Sequence, residues 1–451
     1  MPFSQVTETG AARYSESVIQ FKRFSMRRQI QWIGFSLIIG VLAGSAAAIF
    51  LNSLEWASRF RDSHRQIIWA LPLAGLAIVW AFQRFGQSVN PGINLIIDEI
   101  HDPKNVVPLK MAPLILAGTL LTHLFGGSAG REGTAVQMSA SLADQLSRFF
   151  SIETVERKIL LVAGAGAGFG AAIGTPWAGV VFGMEVIHIG RLKPFAWIEC
   201  FIASFTAYYT AVFLGAHHSV FSLGGFEVAE FSRAGGSTVF VTLFYVALAG
   251  ALFGLTAACF IRLTHLIERL LGQAVKPALL RPFVGGLLLV FLFWLEGSYR
   301  FIGLGISEIQ RVLSSDSQAV TSFSVPLLKS AFTALTVGSG FKGGEFIPLV
   351  FIGTTLGGAL SLVLPLTPQF LGALGFAAVF AGAANVPITC TIMACELFGF
   401  TLLPYALVAC FFSYYFSGHP GIYRSQKYSQ KKLGFLRVAF SWLGELPKRF
   451  F

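Results

Sequence analysis

Residues 125–137 read FGGSAGREGTAVQ and place the adjacent Arg131 and Glu132 among four glycines, with apolar runs on both sides. The segment that leads into them, residues 111–125, contains no Asp, Glu, Lys or Arg. Ionisable side chains at membrane depth are costly, and by default they mark a pathway for ions or protons. Since a carboxyl group can take up and release a proton, this stretch points to ion or proton movement.

The composition indicates that this stretch lies in a membrane. The chain of 451 residues is 54% hydrophobic and only 12% charged, with a mean hydropathy of +0.68, whereas a soluble protein has about 25% charged residues. Several runs approach or exceed the ~18 apolar residues that span a bilayer, and a barrel would show short alternating strands instead. We therefore predict an all-α polytopic membrane protein.

The net charge of +11 does not indicate nucleic-acid binding, because the basic residues are concentrated at the ends and in loops. The N-terminal group is Lys22, Arg23, Arg27 and Arg28, and the C-terminal group is Arg424, Lys427, Lys431, Lys432, Arg437, Lys448 and Arg449. Membrane topology and anionic lipid explain such groups, so residues 1–28 and the basic tail, residues 424–451, are predicted to be cytoplasmic. The N-terminal segment is not expected to be a cleavable signal, because no small-residue cleavage site follows it.

One constant offset relates the two halves of the chain. Gly127-Ser128 corresponds to Gly338-Ser339, and 338 − 127 = 211. The same offset aligns the apolar spans and pairs further positions: Arg131 with Lys342, Pro176 with Pro387, and Glu185 with Glu396. This pattern predicts a duplicated unit, with membrane repeat 1 over residues 29–220 and membrane repeat 2 over residues 237–423.

The two repeats are predicted to have opposite orientations. The first follows a basic segment, whereas the connector before the second, residues 215–236, contains Glu227 and Glu230 and one strong base, Arg233. By the positive-inside rule the repeats then begin on opposite sides of the membrane. Transporters built from such inverted repeats bind their substrate near the midplane, where broken helices from both halves meet.

Three glycine-containing interruptions are candidates for these broken helices: residues 92–94, 127–133 and 338–344. Glycine lets the backbone turn sharply, and the helix that follows presents its free N–H groups and its positive dipole end to the gap. Such groups bind anions, whereas a cation site would need several converging carboxylates. The glycines of residues 163–170 are interpreted as helix packing, but packing does not require Arg131 and Glu132, so a small-anion site is predicted here.

Most other reactive side chains are interpreted as structural. The five cysteines occur in apolar runs without a CxxC pair and are expected to be small core residues: Cys200, Cys259, Cys390, Cys395 and Cys410. Glu185 and Glu396 are interpreted as structural pairs or helix caps. The histidines His123, His188 and His419 are interpreted as satisfied polar residues. No metal and no other cofactor are expected.

Two charged residues keep open roles. Glu345 is interpreted as a second proton-transfer group, as a partner of Lys342, or as a charge at a pore mouth. Arg131 either attracts anions through its electric field or holds the loops in place.

A different class of function has one matching motif. Residues 126–130 fit G-x-S-x-G, the pattern of a hydrolase nucleophile elbow, with Ser128 as nucleophile and His123 or His188 as base. The elbow belongs on a strand-to-helix turn, whereas this motif lies between predicted helices. A single nucleophile also does not need the repeated Gly338-Ser339-Gly340, so an intramembrane serine hydrolase is the remote alternative.

Three motifs together resemble the CLC family of anion channels and anion/proton antiporters. They are GSAGREGTAVQ at residues 127–137, GSGFKGGEFIP at 338–348 and GHPGIY at 418–423. The resemblance extends over about residues 29 to 423. It implies a fold of inverted repeats with many tilted and broken intramembrane helices, a homodimer, and no enzymatic activity.

The resemblance also implies roles for the motif residues. Glu132 would occupy the anion pathway when charged and leave it when protonated, so that one side chain both blocks anions and carries protons. Backbone amides would line the path, and the Tyr423 hydroxyl would contact the central anion. The implied proton-transfer residues are Glu132 and Glu345, and the implied anion-binding residues are Ile93, Asn94, Gly130, Arg131, Gly133, Thr134, Phe346, Ile347 and Tyr423.

Four departures from the common family pattern indicate a subclass. Ile93 replaces the serine that contacts chloride, and Thr134 replaces the usual proline. Val186 follows Glu185, where many antiporters carry a proton-relaying glutamate, and Glu345 is an extra carboxylate. Together these departures resemble the bacterial fluoride-exporting branch, often called CLC-F. They imply fluoride/proton exchange in the bacterial inner membrane, with a chloride/proton antiporter or an anion channel as alternatives.

Fluoride is small and strongly hydrated, so its site must replace water with good donors. The Asn94 amide could supply an N–H group, or Asn94 could cap a helix. Phe346 could present its positive ring edge to the anion, or pack in the core. Tyr423 is either an anion ligand or a residue of the interfacial aromatic belt.

Overall fold

The computed structural model describes residues 26–219, 221, 223, 236–314, 320–428 and 432. Several expectations fall on other residues and lie outside the described part: the N-terminal segment before residue 26, the acidic residues Glu227 and Glu230 with Arg233, and the tail cations Lys431, Arg437, Lys448 and Arg449.

The described part of the first half consists of helices joined by short connections. Its helices are α1 Met26–Ser63, α2 Leu71–Phe85, α3 Ile93–His101, α4 Met111–Leu124, α5 Glu132–Asp144, α6 Leu146–Phe149, α7 Arg157–Ile173, α8 Pro176–Glu185 and α9 Trp197–Phe213. Proline stands at the first or second position of α2 and α8, where its missing N–H costs no helical hydrogen bond. Short 3₁₀ segments, Arg65–Ala70 and Gln87–Val89, precede α2 and α3.

The second half has a corresponding series of helices. They are α10 Gly236–Ala274, α11 Arg281–Glu296, α12 Ile306–Leu313, α13 Ser324–Gly338, α14 Phe346–Leu360, α15 Pro368–Ala384, α16 Pro387–Phe398 and α17 Leu403–Phe416. The described strands are short, β1 His188–Ile189 and β2 Lys427–Tyr428, and they pair in parallel. The helical content agrees with the predicted all-α class.

The offset found in the sequence also relates helix boundaries. Helix α7 maps onto α15 at both ends, since 368 − 157 = 211 and 384 − 173 = 211, and α8 begins 211 residues before α16. Both pairs break at the same place. Gly174 ends α7 in a left-handed conformation with φ 90°, and Asn385 ends α15 with φ 60°. The segment 159–189, which the sequence presents as one small-residue run, is therefore two helices.

Within the described part of the chain, four helical stretches are long and apolar enough to cross a membrane: Met26–Ser63, Arg65–Phe85, Val239–Ala274 and Ala278–Glu296. The first of these, α1, has 38 residues. At about 1.5 Å per residue, α1 is roughly 57 Å long, well above the ~30 Å hydrocarbon thickness. Such a helix must tilt or extend beyond the bilayer. The structure also has shorter apolar helices, such as α4 and α14.

The small-residue helices occupy the centre of the molecule. Every residue of α14 is buried, and so are the residues of α15 from Phe370 to Ala384. A Cβ atom at Gly353 would lie 1.9 Å from the Gly375 carbonyl oxygen, so these two helices approach more closely than any larger residue allows. On the periphery, apolar side chains such as Phe213, which is 88% exposed, form the surface that a bilayer covers.

The expectation for the cysteines holds for four of the five. Cys200, Cys390, Cys395 and Cys410 are buried and unbridged, whereas Cys259 is exposed on α10. The prediction for Cys259 is wrong because α10 has one face on the surface, which an apolar run alone does not reveal.

The segment after α17 ties the two halves together. Backbone N–H of Ser425 donates to Asn94 Oδ1 at 3.2 Å, and Ile422 N–H donates to the Ala383 carbonyl at 2.9 Å. The Gln426 amide donates to the Val186 and Ala384 carbonyls at 2.9 and 2.8 Å. Because these contacts lie on both sides of Tyr423, they fix the position of that residue between the halves.

Candidate functional site

The two predicted breaks, residues 127–133 and 338–344, lie against each other. Gly130 N–H donates to the Gly344 carbonyl at 2.5 Å, and Gly344 N–H donates back to the Gly130 carbonyl at 2.7 Å. A Cβ atom at Gly344 would lie 2.9 Å from the Gly133 nitrogen, so the close approach requires glycine there. The breaks bring the N-termini of α5 and α14 together, as an anion site made of helix ends requires.

Glu132 is the first residue of α5 and only 1% exposed. Its carboxylate accepts hydrogen bonds from Arg131 N–H at 3.2 Å and from Arg131 Nε at 3.3 Å. The guanidinium also donates through Nη2 to Ser219 Oγ at 3.2 Å. Arg131 therefore holds the carboxylate and the segment after α9, and its charge lies beside the buried acid.

Thr134 is buried one turn into α5, and its hydroxyl is 2.7 Å from the Thr119 hydroxyl of α4. Its backbone N–H donates to the Arg131 carbonyl at 3.1 Å. In this arrangement the Thr134 hydroxyl joins α4 to α5, a contact that a proline at this position cannot make.

Phe346 begins α14 and lies in an aromatic cluster. Its ring meets Phe380 edge-to-face at 4.7 Å between centroids and Phe169 at 5.6 Å. Phe169 also stacks on Phe182 at 4.0 Å. Sequence reasoning missed Phe169 and Phe380, although the repeat offset pairs them, since 380 − 169 = 211. Phe346 and the next residue, Ile347, are both buried, so core packing is part of the role of each.

The side chain of Asn94 is held by its oxygen, and the role of its amide N–H toward an anion stays a prediction. The contact that its side chain makes is through Oδ1, which accepts from Ser425 N–H. The residue before it, Ile93, begins α3 after Gly92, whose φ of 65° requires glycine. Asn94 thus supports the segment that carries Tyr423, while Ile93 adds an apolar group at the start of the helix.

A cavity of about 300 Å³ lies next to these residues, between the end of α2 and the start of α3. Its lining includes four predicted site residues, Ile93, Asn94, Glu345 and Tyr423. Tyr423 is within electrostatic range of both Glu345 and Glu132. The Tyr423 side chain therefore lies near both predicted proton-transfer groups.

Glu345 and Lys342 line the same cavity without forming a pair. Lys342 Nζ donates to Asn90 Oδ1 at 2.9 Å, and the charged side chains that act on Glu345 are Arg424 and Glu268. The interpretation of Glu345 as a partner of Lys342 is therefore wrong, because the Lys342 ammonium is hydrogen-bonded to Asn90 instead. Its other interpretations, as a proton-transfer group or a charge at the mouth, remain predictions.

Glu185 and Glu396 cap each other's helices. Glu185, at the end of α8, accepts from Ile388 N–H at 2.9 Å and from Thr389 N–H at 2.7 Å, at the start of α16. Glu396 accepts from Trp177 N–H and Ala178 N–H, both at 2.9 Å, at the start of α8. Each carboxylate satisfies free N–H groups that no intrahelical bond can reach.

The residues of the hydrolase motif do not form a nucleophile–base pair among the described contacts. Ser128 Oγ is 2.9 Å from the Thr333 hydroxyl, and the two ring nitrogens of His123 contact the carbonyl oxygens of Thr119 and Ala129. Among the described contacts of Ser128, none is with a histidine. The motif serves to pack the break against α13, so a nucleophilic serine finds no support here.

Sequence reasoning also missed Lys329, which is 0% exposed within α13. Its ammonium donates to the carbonyls of Phe301 and Gly303 at 3.0 and 2.8 Å. A lysine inside an apolar run was the available signal, by the same rule that selects Glu132.

Comparison with known proteins gives matches over most of the chain. The family model described as voltage gated chloride channel matches residues 74–418. A protein of Pseudomonas syringae pv. tomato named chloride/fluoride channel protein is 42% identical over 414 residues, covering 89% of this chain and 87% of that protein. A Klebsiella pneumoniae H⁺/Cl⁻ exchange transporter, ClcA, is 27% identical over 392 residues, covering 80% and 79%.

Two solved structures also superpose on most of this chain. A CLC-type fluoride/proton antiporter superposes with a TM-score of 0.84 and 32% identity, covering 90% of this chain and all of that one. A slow cyanobacterial Cl⁻/H⁺ antiporter has a TM-score of 0.71 at 21% identity, covering 87% and 95%, which is a likeness of fold alone.

Proposed function

The chain belongs to the voltage-gated chloride channel (CLC) family, and on that premise we propose that it is a secondary active antiporter that exports fluoride in exchange for protons. It is an anion/proton transporter by family. The observation that carries the proposal is the buried Glu132 carboxylate at the N-terminus of α5, beside the point where both breaks meet.

The mechanism follows from the charge of that carboxylate. When ionised, Glu132 competes with an anion for the N–H groups of the helix ends, and it closes the pathway. When protonated it is neutral and no longer attracted to those groups, so the anion takes its place. A single side chain thereby exchanges a proton for an anion, and Tyr423 and Glu345 extend the path toward the cavity.

Selectivity for fluoride is supported by the apolar start of α3 and by the aromatic cluster. Ile93 offers no hydroxyl that would suit a larger, weakly hydrated anion. The ring edge of Phe346 is a weakly positive surface, and its helix begins beside the bridge between Gly130 and Gly344. The names of the Pseudomonas relative and of the superposed antiporter also favour fluoride.

We further propose that residues 29–220 and 237–423 are inverted repeats, that both termini face the cytoplasm of a bacterial cell, and that the protein is a homodimer. The reciprocal caps support inversion, because the end of α8 lies at the start of α16 and the reverse also holds. Such antiparallel packing of equivalent helices is what an axis in the membrane plane requires.

The deciding test is efflux from proteoliposomes loaded with fluoride or with chloride. We expect the purified protein to release fluoride much faster than chloride, and to move protons inward as fluoride leaves, measured with ion-selective and pH electrodes. Equal release of both ions would support the chloride/proton antiporter, and anion release without proton movement would support a channel.

A further inference from the structure

We propose that Lys342 captures the anion at the mouth of the pathway on the side where α2 ends, and that it sets the apparent affinity for the anion on that side. The inference rests on the proposed anion/proton exchange and on the proposed orientation, which makes this side cytoplasmic. For an exporter, this is the side from which the substrate anion enters.

The position of the Lys342 ammonium is fixed by residues of the other repeat. Nζ donates to Asn90 Oδ1 at 2.9 Å and lies 4.3 Å from the centroid of the Phe82 ring. The side chain can pass α4 because residue 118 is glycine, where a Cβ atom would lie 3.1 Å from Lys342 Cβ and Cγ. A flexible side chain is thereby held at one place on the cavity wall.

The ammonium is not neutralised by a protein carboxylate. Among the described residues, the partners of Lys342 are an amide oxygen and an aromatic face, and no carboxylate lies within ion-pair distance. An ammonium has three N–H donors, so capacity remains for a further acceptor. A positive charge without an ion pair, at the wall of a cavity that an anion can enter, is a binding point for a small anion.

The other charges around the cavity are arranged differently. Arg424 forms an ion pair with Glu268, and these two residues are the charged neighbours of Glu345. The two carboxylates of the lining, Glu268 and Glu345, therefore have Arg424 as their neighbouring cation, and not Lys342. An anion that enters is repelled by one part of the lining and attracted by Lys342, next to Ile93 at the start of the deeper path.

The test uses inverted membrane vesicles, whose cytoplasmic face is outside, with fluoride as the varied external anion. For Lys342→Met, we expect the apparent KM for fluoride to rise by about tenfold, the usual effect of losing one hydrogen bond to a charged group. We expect Lys342→Arg to remain close to the wild type. Raising the ionic strength with an inert salt should raise KM in the wild type and change it little in Lys342→Met.

Proton coupling and sidedness separate capture from a structural role. The proton-to-fluoride ratio should be unchanged in Lys342→Met, and so should KM measured in right-side-out vesicles. The matched control is Lys276→Met, because Lys276 is an exposed lysine between α10 and α11 and its loss changes the net charge equally. If Lys342→Met does not yield monodisperse protein, Lys342→Gln is used in its place.

An unchanged KM in Lys342→Met on the cytoplasmic side would overturn the inference, as would an altered proton-to-fluoride ratio. A wild-type protein that moves neither fluoride nor chloride in these vesicles would instead overturn the proposed function. The two failures are therefore distinct.

Discussion

At the scale of single residues, the site depends on one buried carboxylate, that of Glu132. Glu132 is buried and held by Arg131, which stabilises the ionised form, while burial itself disfavours any charge. The α5 N-terminus adds a positive dipole end at the same place. Burial and the positive groups beside it therefore act in opposite directions on the charge of this carboxylate.

For Glu132→Gln we expect anion movement without proton movement. The glutamine amide has nearly the shape of protonated Glu132, but it neither ionises nor releases a proton in the accessible pH range. The measurement is fluoride-driven proton uptake in proteoliposomes, together with passive fluoride efflux. Retained uphill proton uptake in this variant would show that Glu132 is not the coupling group, and the matched control is Glu55→Gln, on the surface of α1.

At the scale of elements, the reciprocal caps link the helices that follow the α7 and α15 breaks. Glu185 and Glu396 each reach across to the other repeat, so α8 and α16 are held end to start. The two caps therefore fix the position of α8 relative to α16, although each helix is short and the first N–H groups of each have no partner within the helix. This device is a consequence of duplication, since the same glutamate serves the equivalent function in both repeats.

For Glu185→Leu we expect a loss of stability of about 1–3 kcal/mol or more, because two buried N–H groups of α16 lose their acceptor. Thermal unfolding of the detergent-solubilised protein measures the change. Glu396→Leu should also lower the stability, because the N–H groups of Trp177 and Ala178 at the start of α8 lose their acceptor. Glu55→Leu serves as the control, since the ion pair of Glu55 with Arg59 lies at the surface and contributes little to stability. An equal loss of stability in Glu55→Leu would contradict the capping role of Glu185 and Glu396.

At the scale of the whole molecule, the charge distribution and the repeat together predict the arrangement in the membrane. The loop after α2 and the cavity mouth lie on one side, and the connection after α11 lies on the other. Bilayer lipid covers the exposed apolar side chains of α1, α10 and the shorter peripheral helices.

This topology is testable with single cysteines in a Cys259→Ser background, since Cys259 is the exposed native cysteine among the described residues. We expect Ser298→Cys, after α11, to react with a membrane-impermeant maleimide added to intact cells. Gln87→Cys, after α2, should react only after the cells are opened. Labelling of Gln87→Cys in intact cells, with Ser298→Cys protected, would reverse the proposed orientation.

The sequence by itself determined the class of the protein and the identity of its central stretch. Hydropathy decides membrane insertion locally, and a constant offset of 211 is a property of the chain alone. The charged pair Arg131–Glu132 was recognisable for the same reason, because its cost in a membrane depends on its immediate neighbours. Family membership followed from motifs of this local kind.

Only the tertiary structure decided which groups meet. That Gly130 pairs with Gly344, that Asn94 presents its oxygen to Ser425, and that Lys342 turns to Asn90 depends on segments far apart in the chain. The direction of these side chains depends on how the two repeats pack together, and the sequence of one repeat alone does not specify that packing. For that reason residues 125–137 alone predicted an ion pathway. The residues that line it, its aromatic neighbours Phe169 and Phe380, and the cation Lys342 at its mouth were identified only from the tertiary structure.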